Sequence, residues 1–163
     1  MVLGSAAIAG DVVVYSILGP LEVRQDDARV EVGGGKQRAL LALLLTRADE
    51  ALSVDTIFDQ LWGEQPPATA KTALQGYVSG LRKAIPSGSD RLQTVSGGYV
   101  LRLAGDELDA RRFEGLTESA RGVIDREPER AASLLREALG LWRGPPLADF
   151  AYDAFALAEI ARL

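Results

Sequence analysis

Residues 36–47, KQRALLALLLTR, place Leu40, Leu41, Leu43, Leu44 and Leu45 within six successive positions. Leucine and alanine favour a helix, and an apolar surface that wraps so much of a helix cannot face water. This segment must therefore lie near the centre of a core, and the rest of the chain has to supply the elements that surround it.

Upstream, residues 12–32 read VVVYSILGPLEVRQDDARVEV. β-Branched residues dominate, and Gly19-Pro20 and Asp26-Asp27 supply turns, so three short strands in an antiparallel meander are expected. Ile17, Leu18, Leu21, Val23, Val30 and Val32 give that sheet its core-facing side. Gly33-Gly34-Gly35-Lys36 invites comparison with a phosphate loop, but Val30 stands where glycine is needed and Gln37 where Ser or Thr would hold magnesium. A strand-to-helix turn is the better account.

Downstream, 49–52 turns the chain and Ser53 is placed to cap a helix over 54–62, with Asp55 in its first turn. Gly63 and Pro66-Pro67 end it. Thr69 is placed to cap a third helix over 70–85, whose buried stripe is Ala73, Leu74, Tyr77, Val78, Leu81 and Ile85. After Pro86, Ser87 and Gly88, residues 91–103 alternate apolar and polar about Gly97-Gly98, the pattern of a two-stranded hairpin. Beyond Gly105 the period becomes helical, over 108–125, 128–142 and 153–163, broken at Arg126-Glu127 and Gly144-Pro145-Pro146. The expected organisation is a flexible start (1–11), an α+β unit (12–105) and the beginning of an all-α unit (106–163). The helical pattern still runs at Leu163, as in a chain cut short.

Function classes narrow quickly. The sequence has no cysteine and no histidine, which removes the commonest metal ligand, the commonest general base and all thiolate chemistry. No catalytic constellation, metal site, cofactor or small-molecule ligand is expected. The first ten residues carry no positive n-region and are too short to span a bilayer, so a cytoplasmic location is expected, with no membrane partner. The net charge of −5 argues against a nucleic-acid partner until it is divided along the chain. Residues 69–105 hold Lys71, Arg82, Lys83, Arg91 and Arg102 against the single acid Asp90, a local charge of +4. A phosphate-facing surface belongs in that window.

The order of elements, the string LRKAI at 81–85 and TVSGGYVL at 94–101 resemble the OmpR/PhoB-type winged helix over roughly residues 13–104. The strings LDARRF at 108–113 and LLREALGLWRGPPLAD at 134–149 are similar to the opening of the bacterial transcriptional activator domain. That domain follows the winged helix in the Streptomyces antibiotic regulatory protein family and AfsR-like regulators. The resemblance implies an α+β winged helix-turn-helix (N-terminal β-meander, three helices, C-terminal hairpin wing) followed by an all-α, TPR-like helical-repeat segment. It also implies an activator that binds direct repeats of double-stranded DNA near promoters and contacts RNA polymerase.

A helix fits the major groove. With Leu74, Val78, Leu81 and Ile85 turned inward, Lys71, Thr72, Gln75, Ser79, Arg82 and Lys83 remain outward or flanking. Gln75 can pair bidentately with adenine, while Lys71, Arg82 and Lys83 suit phosphates. Arg91, Thr94, Ser96 and Gly97 fall in the wing, and Arg38 either meets phosphate near a helix N-terminus or is solvated. Tyr99 is read as core more than contact, and Trp62 and Trp142 as core. Gly76 and Gly80 allow the third helix to approach either the DNA backbone or another helix. Weak binding by one copy would be compensated by a homodimer or by repeated sites. Stripes at Phe113, Leu116, Ala120, Leu134, Leu135, Ala138 and Leu141 suit helix-pair stacking, leaving a face for further helices, a dimer partner or the winged helix to cover. A competing reading makes the helical repeats a protein-interaction surface, with the winged helix binding protein.

Overall fold

The computed structural model describes residues 12–163, so the start at 1–11 lies outside the described residues. Strands β1 (Val13–Ser16), β2 (Glu22–Gln25) and β3 (Ala28–Arg29) form the expected antiparallel meander in the order β1-β2-β3. Asp26 and Asp27 make its tight turn in left-handed conformation. Helix α1 (Gly35–Thr46) follows, and its residues from Ala39 through Leu45 are all buried. A helix with no solvated side over two turns is the middle of the molecule, as its composition demands.

Helix α2 (Val54–Trp62) starts at Ser53, whose side chain accepts the Thr56 N–H at 3.0 Å, and Gly63 ends it with φ of +67°. Helix α3 (Ala70–Ala84) buries Ala70, Leu74, Val78 and Leu81. Its start departs from expectation: Thr69 has near-helical backbone angles and makes no side-chain cap bond. The Ala70 N–H is instead taken by the carbonyl of Pro67, because the two prolines already fold the connection into a turn.

The one-turn helix α4 (Gly88–Arg91) leads into β5 (Leu92–Val95) and β6 (Gly98–Leu101), joined at Ser96-Gly97. The segment expected to be a plain turn at 49–52 contains a further strand, β4 (Leu52–Ser53), which pairs with β6. The wing is thus a three-stranded sheet in the order β4-β6-β5. Two residues are too few for an alternating pattern to show in a sequence.

Helices α5 (Asp109–Val123) and α6 (Pro128–Gly140) form a hairpin, followed by a 3-10 turn (Ala148–Phe150) and α7 (Ala154–Arg162). Helix α7 folds back on α1 and α2. Leu108, Ala110, Leu147, Phe150, Phe155 and Ala156 join the same cluster of buried residues as α1. Of the three covers open for the second unit, the winged helix therefore supplies one.

The join between the units is built on the loop from β1 to β2. Tyr15 N–H donates to the Glu107 carbonyl at 2.7 Å, and Ile17 and Leu18 N–H donate to the two carboxylate oxygens of Asp109 at 2.8 and 3.0 Å. The carbonyls of Ile17 and Leu18 accept the Leu147 and Arg143 N–H groups at 2.9 and 2.7 Å. Leu21 N–H goes to Asp149 at 3.1 Å. Gly19 has φ of +148°, and a Cβ there would stand 3.0 Å from the Cβ of Arg143. Buried backbone groups must find partners, and here the partners of one unit's loop come from the other unit.

Asp109 is only 5% exposed. Burial pushes its carboxyl above the usual carboxylate range, against the lowering pull of the Ile17 and Leu18 N–H groups. Since the folded value is raised, the folded state holds this proton longer than the unfolded chain does. Stability from this group therefore falls as pH rises from the ordinary carboxylate value through the folded one. Asp109→Asn presents an NH2 to one of the two amides, which should cost about 1–3 kcal/mol. Urea titrations at a series of pH values rising from the ordinary carboxylate value should show the variant unfolding earlier, by a margin that narrows as the pH rises. Equal midpoints and equal slopes would contradict the join.

Candidate nucleic-acid interface

Fifteen residues make α3 about 22 Å long at 1.5 Å per residue. Leu74, Val78 and Leu81 hold one side of it to the core, so Lys71, Thr72, Gln75, Ser79 and Lys83 stand exposed on the other. Between α3 and the wing lies a groove of about 300 Å³ lined by Gln75, Ser79, Arg82, Lys83, Ser89 and Tyr99. Ser89, on α4, and Tyr99, on β6, were not expected there. Tyr99 packs against the core, as expected, yet remains part-exposed where it lines the groove. The period of β6 alone could not place the Tyr99 edge beside α3.

Glycines divide by what surrounds them. A Cβ on Gly80 would meet the Gln37 amide at 2.4 Å, whereas one on Gly76 would meet nothing within 4 Å. Gly80 thus makes room for a side chain of α1, the second of the two uses left open for it. Gly97 turns the wing with φ of +74° and is exposed together with Ser96 at the tip. Gly98 is fixed by the unexpected strand: a Cβ there would lie 1.9 Å from the Leu52 carbonyl oxygen.

Three expected contacts are spoken for by the protein itself. Arg38 donates to the Leu21 carbonyl and, at 2.8 Å, to Asp149, tying α1 to the second unit. Arg91 grips Glu107 bidentately at 2.6 and 2.7 Å. Burial alone would raise the Glu107 carboxyl, but hydrogen bonds from Arg91 and the Ala104 N–H outweigh it and hold it below the usual carboxylate range. Thr94 accepts from Arg82, whose Nε also donates to the Leu92 carbonyl. Counting charges along a sequence cannot separate a cation paired inside the fold from one offered to a ligand. Among the described residues, no carboxylate pairs with Lys71, Arg82 or Lys83, although Arg29, Arg38, Arg47, Arg91 and six arginines of the helical unit are paired. The basic window narrows to one helix face.

An exposed helix face whose cations have no carboxylate partner among the described residues, seated beside a three-stranded wing and packed on a helical unit, gives the chain the architecture of a winged helix joined to an all-α unit. Residues 30–101 match the family described as transcriptional regulatory protein, C terminal, and residues 108–163 match the bacterial transcriptional activator domain. Together with the relatives below, the two matches place the chain in the Streptomyces antibiotic regulatory protein family of transcriptional regulators.

It is 34% identical over 158 residues to the regulatory protein DnrI of Streptomyces peucetius, covering 91% of this chain and 58% of that protein. Identity is 34% over 146 residues with the transcriptional regulator RedD of Streptomyces coelicolor, covering 86% of this chain and 42% of RedD. With the regulatory protein AfsR of the same organism identity is 41% over 138 residues, covering 82% of this chain and 14% of AfsR. Among solved structures, Mycobacterium tuberculosis EmbR in complex with a low-affinity phosphopeptide superposes with a TM-score of 0.88 at 30% identity, covering 94% of this chain and 42% of that one. The chain thus spans less than two thirds of the length of each of these proteins. Among the described residues, no helix is long and apolar enough to cross a membrane.

The wing provides a direct check on the geometry. Gly98→Ala drives a methyl into the Leu52 carbonyl, which neither strand can yield without breaking their pairing. A loss of about 1–3 kcal/mol is expected for such overpacking, read as a lower thermal midpoint. An unchanged midpoint would mean that β4 does not pair with β6.

Proposed function

We propose that the chain is a sequence-specific binder of double-stranded DNA that activates transcription in the cytoplasm. The observation that carries this reading is the exposed face of α3, where Lys71, Arg82 and Lys83 have no carboxylate partner among the described residues and flank Thr72, Gln75 and Ser79. Helices of this diameter enter the major groove. The lysines, at the two ends of α3, meet phosphates, while the Gln75 amide, with one donor and one acceptor edge, pairs with adenine. Thr72 and Ser79 lie on the same face and reach base edges or phosphates. Ser96 and Gly97, at the tip of the wing, approach the neighbouring minor groove or its phosphates. Arg38 and Arg91 are not part of this surface, since each is committed to a carboxylate across the join between units.

Direct repeats near promoters are the proposed targets, with two copies side by side and the helical unit turned towards RNA polymerase. Family membership supports this part of the reading. Few cations on α3 favour paired occupancy, because linking two weak contacts raises the effective concentration of the second.

Selection of bound duplexes from a random pool, followed by titration over a range of salt, tests the proposal. Affinity should fall linearly with salt on logarithmic axes, and Lys83→Ala should weaken all sequences alike and make the slope shallower by about 0.9. Gln75→Ala should leave the slope unchanged and remove about 1–3 kcal/mol of preference at one base pair. No enrichment of any sequence, or affinity indifferent to salt and to both substitutions, would overturn it.

A further inference from the structure

Arg82 lies in the last turn of α3, and its guanidinium is not a free arm. Nε donates to the Leu92 carbonyl at 2.8 Å and Nη2 donates to Thr94 Oγ1 at 2.9 Å, both acceptors belonging to β5. Two bonds to a rigid planar group fix the whole plane. The remaining donors, on Nη1 and on the second Nη2 hydrogen, therefore keep one orientation, and Nη1 has no hydrogen-bond partner among the described residues. The side chain borders the groove that also holds Gln75, Ser79, Lys83, Ser89 and Tyr99. An arginine ordered in advance loses less side-chain freedom when it grips an anion, and a fixed fork matches the geometry of a phosphate.

We propose that Thr94 is a positioning residue: strand β5 holds Arg82 aimed at a single DNA phosphate over this groove, and Thr94 acts on DNA through Arg82 without touching DNA itself. The proposal rests on the DNA-binding reading above and deepens it. It makes the wing part of the recognition helix's grip, since the acceptors that orient a side chain of α3 lie on a different element.

The experiment measures duplex affinity against salt for the full chain and for T94V, T94S, R82A and the double variant R82A/T94V, with thermal midpoints recorded for each. Valine suits a strand, so T94V should keep the wild-type midpoint. It should bind about three- to tenfold more weakly to all sequences alike, the expected scale for having to order one rotamer-rich side chain on binding, and with a shallower salt slope. T94S keeps the hydroxyl and should restore both affinity and slope. In the R82A background T94V should cause no further loss, because the group it positions is gone. Wild-type affinity and slope in T94V would overturn the inference. So would an equal loss from T94V in the R82A background, which would make Thr94 a direct contact. A wild-type chain with no salt-dependent duplex binding would instead overturn the DNA reading itself, and this inference with it.

Discussion

The backbone of the loop between β1 and β2 is the constraint on which the rest of the structure depends. Ile17, Leu18 and Leu21 have side chains buried in the core, so their N–H and C=O groups enter a dry environment and each needs a partner. Asp109, Arg143, Leu147 and Asp149 supply all but one of those partners from the helical unit, the Leu21 carbonyl being met by Arg38. The winged helix thus cannot satisfy its own loop, and the helical unit cannot bury Leu147, Phe150 and Phe155 without the winged helix. Each completes the other.

From that join the effect reaches the face of α3 through the first turn of α1. Lys36, Gln37 and Arg38 are adjacent, yet their side chains go three ways: to the Leu61 carbonyl at the end of α2, into the space left by Gly80 on α3, and to Asp149 of the helical unit. One turn of helix therefore fixes α2, α3 and the second unit relative to one another. A wide apolar helix explains why α1 is central, but these three polar residues explain why its neighbours have single positions. Interdigitated packing of this kind transmits strain well, and the helical unit and the face of α3 are held by the same few groups.

Much of this was legible in the sequence, for identifiable reasons. The leucine run announced a buried helix, the Ser53 cap and Gly63 bounded α2, and the alternation about Gly97-Gly98 gave the wing hairpin. The outward residues of α3 followed from its apolar stripe. What escaped was non-local. Strand β4 is two residues long and is marked only by what Gly98 must avoid. Asp109 reads as an ordinary acid at a helix start until its two amide partners, more than ninety positions away, come into view. Arg38 reads as a phosphate ligand or a solvated side chain, and Arg91 as part of the wing, because a sequence shows charge without showing the carboxylate across the interface. Thr69 looked like a cap because its neighbours Pro66 and Pro67 had not yet been given a turn to make.

The central claim is that the two units fold as one body around the loop between β1 and β2. Native-state hydrogen exchange, followed residue by residue across a urea series, tests it most directly. The amides of Ile17, Leu18 and Leu21 should exchange only through global unfolding, with the same free energy and the same urea dependence as the amides of α1. Exchange of those three amides at a lower free energy, while α1 stays protected, would mean that the helical unit detaches from an intact winged helix, and would contradict the account.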